Sequence, residues 1–244
     1  EAGIVIVFSK RFTPILIIGF RHILGIPKKM FQNIIKKSLP VIINEGVWSL
    51  GMSAMALIYA RISTTASAAV FIAETVRMIF TVLSFGVGNA SAIMIGNLLG
   101  EGDRKKAIEY NTKFLQLNTI LGMIMGGTVF VLAPFIVNGF YNLDREVADI
   151  SIQTIRIIGI MLPFKFYNLV MIIGTFRAGG DTVFSMLIEA VSVWGVGVPA
   201  VYITGILMGI PVPYVVLAAN ADEVFKFFVG LPRVLSNKWA KTLV

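Results

Sequence analysis

The amino-acid sequence predicts an all-α integral membrane protein with six transmembrane helices. Hydrophobic residues make up 57% of the 244 residues and charged residues only 14%, whereas soluble domains carry about 25% charged residues. Several apolar stretches reach the roughly 20 residues that a helix needs to cross a bilayer core. Lysine and arginine are concentrated between these stretches. A soluble fold of this length could not bury so much continuous apolar sequence.

The predicted helices follow one another along most of the chain, separated by short connections. They are expected at about residues 38–60, 66–97, 115–139, 148–176, 182–207 and 209–229. The second stretch is longer than a perpendicular crossing requires, so this helix should tilt or project beyond the bilayer.

The chain therefore divides into four predicted parts. They are a stub of a preceding transmembrane helix at 1–9, a basic cytoplasmic linker at 10–37, a six-helix region at 38–230 and a cytoplasmic tail at 231–244. The stub is expected because the sequence begins at Glu1 inside an apolar run that is too short to span a bilayer. The chain is accordingly expected to be a fragment of a longer protein.

The positions of the basic residues predict which helix ends face the cytoplasm. Basic residues are frequent in the linker, in the loop after the second helix and in the tail, whereas the opposite side holds only Arg61, Arg145 and Arg156. The positive-inside rule then places the linker and the C-terminus in the cytoplasm. Within the linker, the stretch from Lys29 to Leu39 sets apolar side chains against lysines, which is typical of a helix lying on an anionic membrane surface. Despite the net charge of +8, the absence of a continuous basic patch argues against a nucleic-acid partner.

Several kinds of chemistry have no motif in this sequence. There is no GxxxxGK[ST] loop for nucleotide phosphates and no HExxH zinc motif. There is no cysteine, and the single histidine, His22, falls in the predicted linker. We therefore expect neither an enzyme nor a bound metal or cofactor. Active transport by this protein would draw its energy from an ion gradient or from a separate subunit.

Glu45 is the most informative charged residue, because it lies inside the first predicted helix. On insertion scales, a charged side chain at the centre of a span costs about 2.5–3.5 kcal/mol, and such side chains commonly serve a function. At helical spacing Glu45 shares a face with Trp48, Ser49 and Met52. A carboxylate, an aromatic ring and a thioether together suit flat, lipophilic cations. The alternative is that Glu45 pairs with a buried partner and only fixes helix packing.

Other polar residues within the spans have less certain roles. Glu74 and Arg77 are three residues apart in the second helix and are expected to form a structural ion pair. Glu189 could line the same cavity as Glu45 or contact Lys165. Lys165 lies mid-span, with Asn168 one turn further on, and would repel a cationic substrate unless it is paired or deprotonated. We include Glu189, Lys165 and Asn168 with the candidate substrate- and ion-binding residues.

Two further patterns concern helix ends and helix packing. Asp222, Glu223 and Lys226 are expected to form a solvated network near the cytoplasmic end of the sixth helix. Gly122 and Gly126 form a GxxxG pattern in the third helix, which allows a neighbouring helix to approach closely.

Several motifs, taken in order, resemble one transporter family. The first is Ser38-Leu39-Pro40-Val41-Ile42-Ile43-Asn44-Glu45-Gly46-Val47-Trp48-Ser49-Leu50-Gly51. It is followed by Ile95-Gly96-Asn97-Leu98-Leu99-Gly100-Glu101-Gly102-Asp103 and by Gly174-Thr175-Phe176-Arg177-Ala178-Gly179-Gly180-Asp181-Thr182. The order and spacing of these segments resemble bacterial MATE (multidrug and toxic compound extrusion) transporters, from about residue 28 to the C-terminus.

The resemblance implies a twelve-helix protein of two six-helix lobes, with this chain as the C-terminal lobe beside an N-terminal lobe. It further implies a multi-pass protein of the bacterial plasma membrane that exports small organic cations in exchange for H⁺ or Na⁺ by alternating access. Glu45 matches the acid that lines the C-lobe cavity in this family.

The sequence also departs from the family pattern in one respect. Sodium-coupled members carry a second carboxylate in the helix equivalent to the fourth span, but no Asp or Glu occurs between Asp149 and Asp181 here. Lys165 occupies that helix instead, and it could clamp Glu45. An alternative function is a lipid-linked oligosaccharide flippase of related architecture. A membrane scaffold or channel subunit is a further alternative, which the glycine- and proline-broken helices argue against.

Overall fold

A computed structural model describes residues 27–140 and 143–240, and this part of the chain is helical with no strand. The chain divides into a unit of residues 1–40 and a unit of residues 41–244. The predicted helix stub at 1–9, His22 and most of the predicted linker lie outside the described residues. In the first unit a helix begins at Lys28, and its side chains Phe31 and Ile35 are exposed. The predicted membrane-surface position of this segment stays a prediction.

The first four helices are long and are separated by connections of a few residues. They are α1 (Lys28–Ile62), α2 (Thr64–Gly100), α3 (Arg104–Phe140) and α4 (Arg145–Leu169), and α4 continues as a π-helix over Val170–Arg177. The Ser63 hydroxyl accepts a hydrogen bond of 2.9 Å from the Ala66 amide and so caps the start of α2. The turn after α2 contains Gly102 at φ +83°, a conformation that glycine adopts without a steric cost.

The fifth predicted helix is one helical run that changes its winding. It comprises α5 (Thr182–Val191), a π-helix over Ser192–Gly197, α6 (Val198–Tyr202) and a second π-helix over Ile203–Leu207. Wide π turns allow Pro199 within this run, because a proline supplies no amide for the regular α-helical bond. Altogether, the described residues contain five helices that are long and apolar enough to cross a membrane.

The sixth predicted helix, at 209–229, is not one continuous helix in the structure. Two helices occupy this part of the chain, α7 (Val212–Ala219) and α8 (Ala221–Leu235), and Asn220 separates them. The Asn220 side-chain amide donates to the Val216 carbonyl at 2.8 Å, a local bond of the kind that competes with regular helix geometry. This segment is therefore broken, although it is helical over most of the length that the sequence indicated.

Residues 231–240, which follow the sixth predicted span, are folded against the rest of the second unit. Helix α8 extends to Leu235, and Trp239 beyond it is completely buried. Arg104 at the start of α3 donates to the backbone carbonyls of Asn237 at 2.8 Å and Ala240 at 3.0 Å. The described part of the segment predicted as a tail, residues 231–240, is thus attached to the helix ends through both apolar and polar contacts.

Close packing of α2, α3 and α4 forms the centre of the second unit. A Cβ atom on Gly126 would lie 2.3 Å from the Gly159 carbonyl oxygen, and one on Gly122 would lie 2.9 Å from the Cα of Pro163. Both glycines of the GxxxG pattern therefore allow α3 to touch the backbone of α4, as the spacing indicates. This close contact positions the C-terminal part of α4, which carries Lys165 and Asn168.

Candidate functional site: two charged cavities

Two adjoining cavities lie among the helices of the second unit. The larger has a volume of about 320 Å³ and the smaller about 160 Å³. The two cavities share three lining residues, Trp48, Lys165 and Glu223, and are therefore adjacent. Charged side chains from α1, α2, α4, α5 and α8 therefore meet within one region of the protein.

A triad of Glu45, Arg177 and Glu189 lines the smaller cavity. The Arg177 guanidinium lies 2.8 Å from a Glu45 carboxylate oxygen and 2.9 Å from a Glu189 carboxylate oxygen. The buried Asn44 amide donates a further hydrogen bond to Glu189. Glu45 is 54% exposed and Glu189 only 14%, so the two carboxylates share one cation but differ strongly in access.

A second charged network surrounds Glu223 between the two cavities. Lys165 Nζ lies 2.5 Å and Lys226 Nζ 2.9 Å from the same Glu223 oxygen, and Lys226 also lies 3.1 Å from Asp222. The Asn168 amide donates to the other Glu223 carboxylate oxygen at 2.7 Å. The positively charged Lys165 is therefore neutralised by Glu223 and does not clamp Glu45.

The prediction that Asp222, Glu223 and Lys226 form a solvated helix end is wrong. Glu223 and Lys226 are each only 3% exposed. The sequence places these charges late in an apolar stretch, which reads as a helix emerging from the bilayer. The break at Asn220 instead leads them inward, where Lys165 and Asn168 of α4 provide partners.

The larger cavity combines an ion pair with aromatic and thioether side chains. Glu74 and Arg77 form the pair expected from their spacing, and both line this cavity. The uncharged lining includes aromatic rings and methionines, namely Trp48, Tyr59, Phe71, Met52 and Met55. Such a surface is suited to flat, lipophilic molecules.

The formal charges of the residues that line the two cavities do not cancel. Five carboxylates and four cationic side chains line them, namely Glu45, Glu74, Glu189, Asp222 and Glu223 with Arg77, Lys165, Arg177 and Lys226. Glu74 balances Arg77, and the pair Asp222 and Glu223 balances the two lysines. The single excess negative charge consequently belongs to the triad of Glu45, Arg177 and Glu189.

The structure brings together most of the residues selected from the sequence, with one exception. Glu45, Trp48, Lys165, Asn168 and Glu189 line the smaller cavity, and Trp48 and Lys165 also line the larger one together with Met52. Ser49 is exposed and is not among the residues lining either of these cavities.

Sequence reasoning missed Arg177, Glu223 and Lys226 as cavity residues, and it missed Asn44 as the buried partner of Glu189. Arg177 lies where a helix gives way to a Gly-Gly turn, a position at which a basic side chain normally reaches solvent. Its partners could have been suspected only from the two unpaired carboxylates in α1 and α5. In the described residues, no group of three or more His, Asp or Glu side chains is arranged to hold a metal ion.

Comparison with known proteins decides the family. A family model described as MatE matches residues 40–203. The chain belongs to the MatE family. It is 29% identical over 191 residues to the multidrug resistance protein NorM of Burkholderia vietnamiensis, covering 75% of the chain and 41% of that protein. It is 23% identical over 213 residues to the probable multidrug resistance protein NorM of Thermotoga maritima, covering 87% of the chain and 46% of that protein.

Solved structures of MATE transporters share the fold of this MatE chain. A MATE transporter in the straight conformation matches with a TM-score of 0.80 at 15% identity, over 96% of the chain and 54% of that protein. A MOP superfamily transporter from Pyrococcus furiosus, reported with a binding pocket of reverse polarity, matches with a TM-score of 0.72 at 20% identity, over 86% of the chain and 46% of that protein. The chain is thus an all-α, multi-pass membrane protein that spans about half the length of the curated relatives it matches.

Proposed function

We propose that this MatE chain is one lobe of a secondary active transporter that exports small organic cations in exchange for H⁺ or Na⁺ by alternating access. The excess negative charge of the Glu45, Arg177 and Glu189 triad is the observation that carries the proposal. A monovalent organic cation entering the smaller cavity would neutralise that charge. The rings and thioethers of the adjoining cavity would contact its apolar part.

A lobe of this kind needs a counterpart. Since the chain spans 41% and 46% of its two NorM relatives, we propose that it acts beside an N-terminal six-helix lobe in a bacterial plasma membrane. The six-helix region is taken as residues 38–230, with its C-terminal segment in the cytoplasm. Exchange with an ion gradient requires neither an enzymatic step nor a bound cofactor.

The relation of this chain to multidrug efflux is supported by its relatives as well as by its cavities. Both NorM proteins are named for multidrug resistance. Broad substrate acceptance fits a lining of aromatic and methionine side chains, because such surfaces adapt to different shapes.

The flippase alternative is less well supported by the cavity charges. A pyrophosphate-linked substrate would need an excess of unpaired basic groups, and Lys165 was the residue that suggested one. Its ammonium group is paired with Glu223 at 2.5 Å. The two cavities together carry more carboxylates than cationic groups, so an organic cation fits better than an anionic lipid.

Transport in proteoliposomes tests the proposal. The complete protein would be reconstituted, and ethidium movement followed by fluorescence under an imposed proton gradient, an imposed sodium gradient or neither. We expect ethidium movement that depends on one of the two gradients, and the effective gradient identifies the coupling ion. Ion leakage without ethidium would indicate a channel, and movement of a lipid-linked pyrophosphate without ethidium transport would indicate a flippase.

A further inference from the structure

The Arg177 guanidinium joins two carboxylates that hold it with unequal strength. Glu189 is 14% exposed and also accepts a hydrogen bond from Asn44, which is itself 2% exposed. Glu45 is 54% exposed and faces the smaller cavity. Because exposed ion pairs are weak and are screened by solvent, the bond to Glu45 is the one that a molecule entering the cavity can replace.

We propose that Arg177 is a tethered competitor at the cation site, which determines how tightly the lobe binds its substrate. Arg177 pairs with Glu45 while the site is empty. A monovalent organic cation binds by displacing the guanidinium from Glu45, and Arg177 stays paired with Glu189. This role rests on the proposed export of organic cations and assigns a specificity-determining residue to that function.

The charge count of the triad predicts which class of substrate binds. Two carboxylates and one guanidinium leave one negative charge, so one monovalent cation makes the site neutral. A dication would leave a surplus positive charge in a partly enclosed cavity, which is unfavourable. An uncharged molecule has no means of replacing a guanidinium. Lys165 and Lys226 line the same cavity but are already paired with acidic side chains, so they do not change this balance.

The displacement also has a mechanical consequence for the helices. Arg177 is the last residue of the π-helix that follows α4, Glu45 belongs to α1 and Glu189 to α5. The triad therefore connects three helices when the site is empty. A bound cation releases α1 from Arg177 while the link between the α4 extension and α5 persists. Substrate binding can shift the helix arrangement only through such a difference in contacts between states.

Equilibrium binding of ethidium to the complete protein in lipid nanodiscs tests this role. The variants are Arg177→Gln, which removes the competitor, and Arg177→Lys, which keeps its charge. Lys113→Gln is the matched control, because it removes a cation that is 65% exposed and belongs to neither cavity. Arg177→Gln should lower the ethidium Kd about fivefold, the ratio that corresponds to the upper value for an exposed ion pair. Arg177→Lys should stay within about twofold of wild type by the same reasoning.

Transport and a second substitution separate competition from a structural role. Tighter binding should slow release, so ethidium efflux by Arg177→Gln should show a lower KM together with a lower kcat. The gain in affinity should vanish in the Arg177→Gln, Glu45→Gln double variant, because the released carboxylate is then absent. A residue that only stabilises packing would raise the Kd when it is replaced.

The outcomes distinguish this role from the function on which it rests. Absence of ethidium binding and transport by wild type would remove the proposed function. Binding by wild type with an unchanged or higher Kd for Arg177→Gln would overturn the competitor role alone. Failure of both Arg177 variants to reach the membrane at wild-type abundance would also overturn it, because Arg177 would then serve folding.

Discussion

Replacement of Glu223 by glutamine should destabilise the lobe, because it leaves a partly buried lysine without its carboxylate partner. Glu223 is 3% exposed and neutralises two ammonium groups, Lys165 at 2.5 Å and Lys226 at 2.9 Å. In Glu223→Gln, Asp222 remains near Lys226 but Lys165 loses its carboxylate partner. Removing one member of a buried ion pair costs about 3–5 kcal/mol, because the other charge is left uncompensated. Lys165 is 22% exposed, so we expect a value near the lower end, about 3 kcal/mol.

A double-mutant cycle isolates the contribution of the pair. Lys165→Met alone leaves Glu223 with Lys226, and the combined Lys165→Met, Glu223→Gln variant leaves Asp222 with Lys226. The double variant should therefore be more stable than Glu223→Gln alone. The coupling energy between the two positions should be about 1–3 kcal/mol, as found for residues in one ion-pair network.

Unfolding of the purified protein in mixed micelles measures these differences. The denaturing detergent would be titrated and the loss of helix followed by circular dichroism. Glu109→Gln is the matched control, because Glu109 is 60% exposed and pairs with Lys113 on the surface of α3, where an ion pair adds little. The reasoning fails if Glu223→Gln unfolds at the same point as the Glu109 variant, or if the effects at Lys165 and Glu223 simply add.

Two further substitutions test the packing of the lobe. Gly126→Ala should unfold at a lower detergent concentration in the same assay, because the new Cβ would lie 2.3 Å from the Gly159 carbonyl oxygen. Gly127→Ala is the control, because its Cβ would meet open space, and equal effects of the two substitutions would contradict the contact between α3 and α4. Trp239→Ala should lower the free energy of unfolding by about 3–5 kcal/mol, the usual range for a buried tryptophan, because this side chain is completely buried. The C-terminal segment should also become more sensitive to protease, and unchanged sensitivity would show that Trp239 does not fix this segment to the lobe.

Hydrophobic length and helix-end residues were sufficient to predict most of the fold. Continuous apolar stretches of about 20 residues indicate membrane-spanning helices, because a helix pairs every backbone group within its own segment. The connection at Gly100 to Asp103 lies where glycine and aspartate end the second apolar stretch. The sixth predicted helix is interrupted at Asn220, and hydropathy alone gives no signal for such a break.

The cavity residues could be predicted only where a charge lay deep inside an apolar stretch. Glu45, Glu189 and Lys165 satisfy that criterion, and all three line the smaller cavity. Arg177 and Glu223 lie near helix ends, where a charged side chain normally reaches solvent. Their contacts join residues 132 and 58 positions apart in sequence, namely Arg177 with Glu45 and Glu223 with Lys165. No local pattern specifies such pairings.

Ethidium binding to the complete protein carrying Glu45→Gln tests the central claim most directly. If the negative charge of the triad receives the cation, this substitution should raise the Kd about fivefold, because Glu45 is 54% exposed and an ion pair at an exposed carboxylate contributes up to about 1 kcal/mol. Glu109→Gln, which removes an exposed carboxylate outside both cavities, should leave the Kd unchanged. Equal affinities for wild type and Glu45→Gln would contradict the claim and exclude the triad as the cation site.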